Sequence, residues 1–400
     1  MRTLIGLAVG SGLEGVDAVA IRAAGIGLDV KPAVIASIRV AFPPIVRDAF
    51  REGDPGTHLP VASDLVRNIA ETAVHAARQV LSKAGVSLRD TFAAGLLKPA
   101  RPAAAIALAW PEIADRVAEH TGLTIVHGFR HRDRAVGGAG HPITAAADFL
   151  LFTSPTQPRL LIHLGSVASV LYLAPTANIS AISGFDAGPG NQLLDTLIHH
   201  GTRGRESTDP GGKKAVQGKC LESLLNRWRE HPHLTRTPPK VVRPEAFGRS
   251  FLLAAFEAVR QSDASLSDLL CSATHLVARS IGEGVRKWLG NTAGNRQVLL
   301  TGGGVRNGFL WQLVAQQFGE EKIARSDEAG VSPLARNAAA ASILAALTCD
   351  GVAGNLSALT GATGGRLLGH ITPGDARNWS KVTGWLAEQN VEYPRLNRAA

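Results

Sequence analysis

One pattern constrains the fold of this chain more than any other: a strand, a glycine turn and a second strand occur near the N-terminus and again before the middle. The first copy reads LIGLAV, GSGLEG, VDAVAIRA; the second reads RLLIHL, a Gly-Ser turn and VASVLYL. Short apolar runs flanking a glycine turn predict a β-hairpin. Glycine lets backbone amides approach an anion closely, and Ser11 adds a hydroxyl donor, so these turns suit a phosphate. A third glycine turn lies at the strand-to-helix junction of QVLLTGGGVRNGFLWQLVAQQF, where Gly302, Gly303 and Gly304 leave room for an adenine or ribose to lie flat against backbone. Each turn alone fits a tight turn with positive φ, and the combination carries the weight. The spacing GxxxxGK[ST] does not occur, and no GxGxxG follows a strand and opens a helix, which excludes P-loop and dinucleotide-binding readings.

Helical apolar spacing runs from about Ala62 to Ala84 and again through AWPEIADRVAEHTG, with Gly122 as a stop. TIVHGF reads as a strand, RHRDRAVGGAGHP as a polar loop of the kind that carries function, and Phe247 to Leu289 as mainly long helix. RNAAAASILAALTCDG predicts an alanine-rich helix with close packing potential, and a turn-rich stretch from Gly354 closes the fold. Strands precede helices in each half, which predicts an α/β chain with mixed sheets. Two phosphate hairpins and a late glycine turn fit a two-domain actin and hexokinase-like ATPase fold with an interdomain cleft. The expected domains are residues 1–135 rejoined by 355–400, and residues 136–354.

With 45% hydrophobic and 19% charged residues, 400 residues suffice for two sizeable cores. No apolar run reaches a membrane span and the N-terminus lacks a signal-peptide layout, so the expected location is the cytoplasm. Cys220, Cys271 and Cys349 are far apart and without ligand spacing, which argues against disulfides and zinc. The net charge of +9 is scattered and aromatics are 5% of residues, so an anionic small substrate explains the excess better than nucleic acid. His199–His200 and His231–His233 lack a third ligand and read as solvated. Arg130, Arg132 and Arg134 alternate as an extended segment would present them.

GFDAGPGNQLLDTLI, from Gly184 to Ile198, is the strongest candidate for chemistry. The segment reads as a strand end, an irregular turn at Gly188, Pro189 and Gly190, and a helix capped by Asn191. That places the Asp186 carboxylate at the mouth of a helix, beside an anion-favouring end, where it can accept a proton or brace its own turn.

These motifs together resemble the anhydro-N-acetylmuramic acid kinases. The family's opening hairpin, similar to SGTSLDGVD, appears as VGSGLEGVD from Val9 to Asp17; its loop FRxxDxAAGGxGAP appears as FRHRDRAVGGAGHP. NIGGIAN appears as HLGSVAS, GFDTGPGN as GFDAGPGN, PPKSTGRExF as PPKVVRPEAF, GGGxxN as GGGVRN and GNLPAVTGA as GNLSALTGA, in the same order. The resemblance implies an enzyme that uses ATP and water to open the 1,6-anhydro bridge of the cell-wall sugar while phosphorylating its 6-hydroxyl, in peptidoglycan recycling. It implies Asp186 as the base that activates water, and ATP contacts from Gly10, Ser11, Gly12, Leu13, Glu14, Gly15, Val16, Asp17, Gly165, Gly302, Gly303, Gly304 and Asn307. Arg132, Asp133, Gly188 and Asn191 fall at the family's substrate positions, and Asp17 at a place to hold Mg2+ through water. A homodimer is implied by the resemblance alone.

The departures cluster at the same places. The segment similar to GSHGQTxxH is replaced by AAGLLKPAR from Ala93 to Arg101, and the carboxylate of the family's late KEA helix motif falls at Asn337. Ser11, Gly12 and Glu14 replace Thr, Ser and Asp, and His163, Ser166 and Ser169 replace Asn, Gly and Asn. Two alternatives to the active kinase follow: a catalytically impaired relative that binds nucleotide or muropeptide as a sensor, and a kinase for another amino sugar, with new contacts from Lys98, Arg101 and His141.

Overall fold

A computed structural model describes residues 1–10, 14–44, 46, 59–99, 104–176, 178–243, 245–261, 263–290 and 296–392. The chain forms two compact units, Met1–Leu151 with Ala335–Ala400, and Phe152–Leu334.

Unit 1 is built on β1 (Arg2–Val9), β2 (Gly15–Ala24), β3 (Lys31–Ala41), β4 (Thr91–Leu97), β5 (Ile125–His127) and β11 (His370–Thr372), in the sheet order β11-β5-β4-β1-β2-β3. The first three strands form an antiparallel meander, β1 pairs parallel with β4 and β4 with β5, and β11 returns antiparallel to β5. Unit 2 repeats this plan. Its strands β6 (Arg159–Leu164), β7 (Val167–Leu173) and β8 (Ser183–Pro189) are antiparallel neighbours, and β6 pairs parallel with β9 (Gln297–Thr301), which pairs parallel with β10 (Lys322–Arg325). Both sheets are therefore mixed, each led by a local hairpin and extended by parallel strands that need a crossover connection. The two expected hairpins are the β1–β2 and β6–β7 pairs, and the repeated order is the one expected of an actin and hexokinase-like ATPase.

In unit 1 the helices Leu59–Ala84 and Ala104–Thr121 cover the sheet through Ile69, Ala73, Val80, Trp110 and Ile113. The helix Arg336–Cys349 lies directly on the paired strands β1 and β4. Gly6 and Gly95 are partners in that ladder. A Cβ on Gly6 would stand 1.7 Å from the Ala338 carbonyl oxygen, and one on Gly95 2.0 Å from that of Ala341. Two glycines on adjacent strands thus admit an alanine-lined helix at backbone contact, and Ala338 to Ala341 are all fully buried. This packing corrects the expected domain boundaries: they fall at 151/152 and 334/335 rather than 135/136 and 354/355. The buried pair of Asp148 with Arg336 binds the helix Ala145–Phe152 to the same unit.

In unit 2 the helix Leu266–Trp288 packs on β8, where a Cβ on Gly188 would meet Ser280 Oγ at 2.7 Å. The stretch from Phe247 to Leu289, expected to be mainly long helix, holds two helices, Arg249–Gln261 and Leu266–Trp288. Ser265 starts the second with a capping box: its Oγ accepts from the Asp268 N–H at 3.1 Å and Asp268 accepts from the Ser265 N–H at 2.8 Å. Among the described residues no helix is long and apolar enough to cross a membrane.

Candidate active site

Asp186 sits in the middle of β8, 1% exposed. β8 is the last strand of its sheet, so its outer edge needs partners from elsewhere. The segment from His233 to Val242 supplies them. The Asp186 N–H donates to the Lys240 carbonyl at 3.1 Å, the Val242 N–H donates to Asp186 Oδ2 at 2.9 Å, and His233 Nε2 lies 3.0 Å from the Asp186 carbonyl oxygen. That carbonyl only accepts, so His233 carries its proton on Nε2. One loop therefore fixes both the backbone and the carboxylate of Asp186.

Two expectations are corrected at this segment. Gly188 and Pro189 continue β8 instead of forming a turn, and the cap of the helix Asn191–Gly201 is Gly190. Asn191 is the first helical residue; its N–H donates to Gly165 O at 2.8 Å and its Nδ2 to Leu164 O at 3.1 Å. Asp186 is thus a strand residue some way before the helix.

His233 was read as solvated and is 7% exposed. Lys240, within the PPKVVRPEAF segment, is 2% exposed and donates from Nζ to the carbonyls of His233 and Leu234 at 3.3 and 3.4 Å. Burial pushes the Lys240 ammonium down to about 8, with Lys287 lowering it further and Asp186 opposing. Burial likewise lowers His233, against its bond to Asp186. The HPH and PPK pattern ahead of an apolar VV was the available signal, but nothing local linked it to β8.

The second hairpin gathers the late glycines. Gly302, at φ 88°, has its N–H on the Pro333 carbonyl at 2.9 Å, and a Cβ there would stand 2.6 Å from Leu164 O. A Cβ on Gly190 would stand 2.5 Å from Gly165 O. Gly304 packs on Leu164, and Gly303 alone of the three is exposed. Asn307 caps the helix Gly308–Gln316 by accepting the Leu310 N–H at 3.0 Å. Gly165, Gly190, Gly302 and Gly304 accordingly let three segments meet at backbone distance around the turn at Gly165 and Ser166. His163, which replaces the family's Asn, pairs Nδ1 with Thr301 Oγ1 at 2.9 Å.

The first hairpin turns between β1 and β2, with Gly10, Glu14 and Gly15 described and Ser11, Gly12 and Leu13 outside the described residues. Among the described residues, a Cβ on Gly10 would meet nothing within 4 Å. Val16 is fully buried in β2. Asp17, 5% exposed, holds Arg39 bidentately, Nε to Oδ1 at 2.6 Å and Nη2 to Oδ2 at 2.8 Å, and Glu14 adds an Arg39 contact at 3.2 Å. Both Asp17 oxygens are engaged by Arg39, so a direct metal bond from Asp17 does not fit. Among the described residues, no group of three or more His, Cys, Asp or Glu is placed to hold a metal.

In unit 1, RHRDR is a short helix, Arg130–Arg134, rather than the extended segment expected. Its turn buries Arg130 and Asp133 and exposes Arg132. Asp133 accepts from the Gly140 N–H, Asn355 Nδ2 and Thr360 Oγ1, each at 2.7 Å, and so ties its loop to the GNLSALTGA segment. Asn337 accepts from Arg336 Nη1 at 3.1 Å. Lys98, where the HGQT-like segment is missing, is 8% exposed, with Nζ 3.1 Å from His131 Nε2.

The two units thus carry hairpin-led sheets of one topology, with glycine turns at their strand ends and, on β8, the clamped, buried carboxylate of Asp186. The family pattern described as Anhydro-N-acetylmuramic acid kinase matches residues 2–374. Curated proteins of that name are similar along 92% of the chain. The one from Gloeobacter violaceus is 32% identical over 383 residues, covering 92% of this chain and 98% of its own length. That from Synechococcus elongatus is 33% identical over 378 residues, with coverage of 92% and 98%. This chain belongs to the anhydro-N-acetylmuramic acid kinase family.

Proposed function

We propose that this protein is an ATP-dependent sugar kinase that acts on 1,6-anhydro-N-acetylmuramic acid in cell-wall recycling. Asp186 takes a proton from water as the water oxygen attacks the anomeric carbon. The bond from that carbon to O6 breaks, its electron pair stays on O6, and O6 accepts the γ-phosphoryl group, releasing ADP. The products are the 6-phosphate of the opened sugar and ADP, so water, sugar and nucleotide balance.

The observation that carries this reading is the clamp on Asp186. A general base must be held in one orientation to work, and three hydrogen bonds from a single loop do so here. The glycines around Gly165 support a backbone approach of phosphate, with Gly10, Ser11, Gly12, Leu13, Glu14, Gly15, Val16 and Asp17 as the other phosphate segment. Gly302, Gly303, Gly304 and Asn307 form the nucleoside side, and Arg132, Gly188 and Asn191 remain candidates for the sugar. Asp133 acts by shaping its loop. Magnesium bound with the nucleotide would neutralise phosphate charge, and Asp17 would be the residue to hold it through water. The cytoplasm, where ATP is supplied, is the expected location, and a homodimer is the expected assembly.

Single-turnover phosphorylation tests the reading. Wild type with ATP and 1,6-anhydro-N-acetylmuramic acid should form the 6-phosphate, and Asp186→Asn should be slower by roughly 10²- to 10⁴-fold. A folded, ATP-binding wild type that forms no product rules this sugar out.

A further inference from the structure

Three side chains that the reaction does not use meet in unit 1. Lys98 follows β4, His131 lies in the Arg130–Arg134 helix and His370 begins β11. Lys98 Nζ is 3.1 Å from His131 Nε2, and His131 Nδ1 is 3.1 Å from His370 Nε2. An ammonium only donates, so His131 Nε2 accepts. Its proton is then on Nδ1, aimed at His370 Nε2, which leaves the His370 proton on Nδ1. The chain of donors starts at a buried lysine and ends at an exposed ring.

The backbone makes room for this arrangement. Gly128 has φ 68°, and a Cβ there would stand 2.7 Å from His370 Cδ2 and 3.2 Å from His131 Nδ1. His370 is the ladder partner of His127 across β11 and β5, with ring centroids 5.8 Å apart.

The charges that act on Lys98 and His131 are of one sign. The charges acting on Lys98 are those of Arg130 and Arg134, and Arg130 donates to the Lys98 carbonyl at 3.2 Å. Those acting on His131 come from Lys98, His370, Arg134 and Arg130. The carboxylates nearby are committed elsewhere. Asp133 takes Gly140, Asn355 and Thr360, while Asp115 accepts from Thr372 at 2.9 Å and acts on His127. Burial and these like charges lower both Lys98 and His131, a cost that a bound anion would reverse.

We infer that Lys98, His131 and His370 form a binding site for one small oxyanion, a carboxylate or a phosphate, entered from solvent at His370. Lys98 supplies the charge, the His370 N–H a directed donor, and His131 takes up a proton as the anion arrives, so binding tightens as pH falls. For a kinase of this family the two sources are the carboxylate of a sugar acid and a phosphate group. That choice of sources rests on the proposed function; the site itself does not.

Histidine-ring NMR on the full chain at constant ionic strength reads the site directly and independently of kinase activity. Inorganic phosphate and D-lactate are titrated separately, with sodium chloride as control. The expected result is saturable movement of the His131 and His370 resonances with at least one of the two anions, the His131 pKa rising, and binding weakened about tenfold in Lys98→Met. His370→Asn, on an exposed ring, leaves the fold intact and should weaken binding in the same direction. Response to lactate alone assigns a carboxylate, response to phosphate alone a phosphate, and either supports the site. Rings that follow the chloride control in both titrations overturn it, as do variants that titrate like wild type.

Discussion

His233 donates from Nε2 to the carbonyl oxygen of Asp186 at 3.0 Å, so a side chain 47 positions away in sequence holds the backbone of the proposed base. Its effect on catalysis is through the position of Asp186. His233→Phe fills the space and removes the bond. Turnover should fall about tenfold with the KM for ATP little changed, since a misplaced base costs rate more than binding. Steady-state kinetics with denaturant melts alongside separate this from simple unfolding.

The turn at Gly302 makes a sharper demand. Its φ of 88° and the 2.6 Å gap to Leu164 O leave no place for a side chain. Gly302→Ala should destabilise unit 2 by about 1–3 kcal/mol and raise the KM for ATP. Urea unfolding and nucleotide titration measure the two effects. A variant with wild-type stability would contradict the close approach of this turn to the second hairpin.

Arg336 and Asp148 form a bidentate pair in unit 1, Nε to Oδ1 at 2.7 Å, with side chains 6% and 0% exposed. Removing one partner strands a buried charge. Asp148→Leu and Arg336→Met should each cost about 3–5 kcal/mol, and the double variant should recover most of it. A double-mutant cycle by chemical denaturation gives the coupling directly.

Stability should also depend on pH through His127. Burial lowers its imidazole to about 4, with His370, His131 and Lys98 lowering it further and Asp115 opposing. The folded pKa is thus below the ordinary value near 6.5, and the unfolded chain binds the extra proton first. Stability from this group is present above about 6.5 and is lost as pH falls towards 4, by an amount of order 1–3 kcal/mol. Urea midpoints at pH 7 and 4.5 should differ less in His127→Gln than in wild type.

Where the sequence was legible, the information was local. The β1–β2 and β6–β7 pairings, the helix ending at Ala84 and the Gly122 stop follow from short-range patterns, and the structure has all of them. The aspartate at 186 stood out because glycines surround it. What sequence could not supply was register between distant segments. Nothing in HPHLTRTPPKVV announces that it will pair with the outer edge of β8. Nor does the spacing of His127, His131 and His370 say that an antiparallel return at β11 will bring them together. Asn191 misled because capping chemistry is also helix-start chemistry: Gly190 already occupies the cap position, and the asparagine serves the hairpin carbonyl.

The close fit of Gly6 and Gly95 to Ala338 and Ala341 has a consequence for synthesis. β1 and β4 leave the ribosome early, but the helix that seals them is encoded after all of Phe152–Leu334. At the usual pace of translation that interval is roughly ten to forty seconds. Throughout it the first sheet stands with a paired-glycine groove open on one face, while the inserted unit completes its own strands, the last ending at Arg325, before that helix is made. The half of the protein that is born first is therefore the half that matures last.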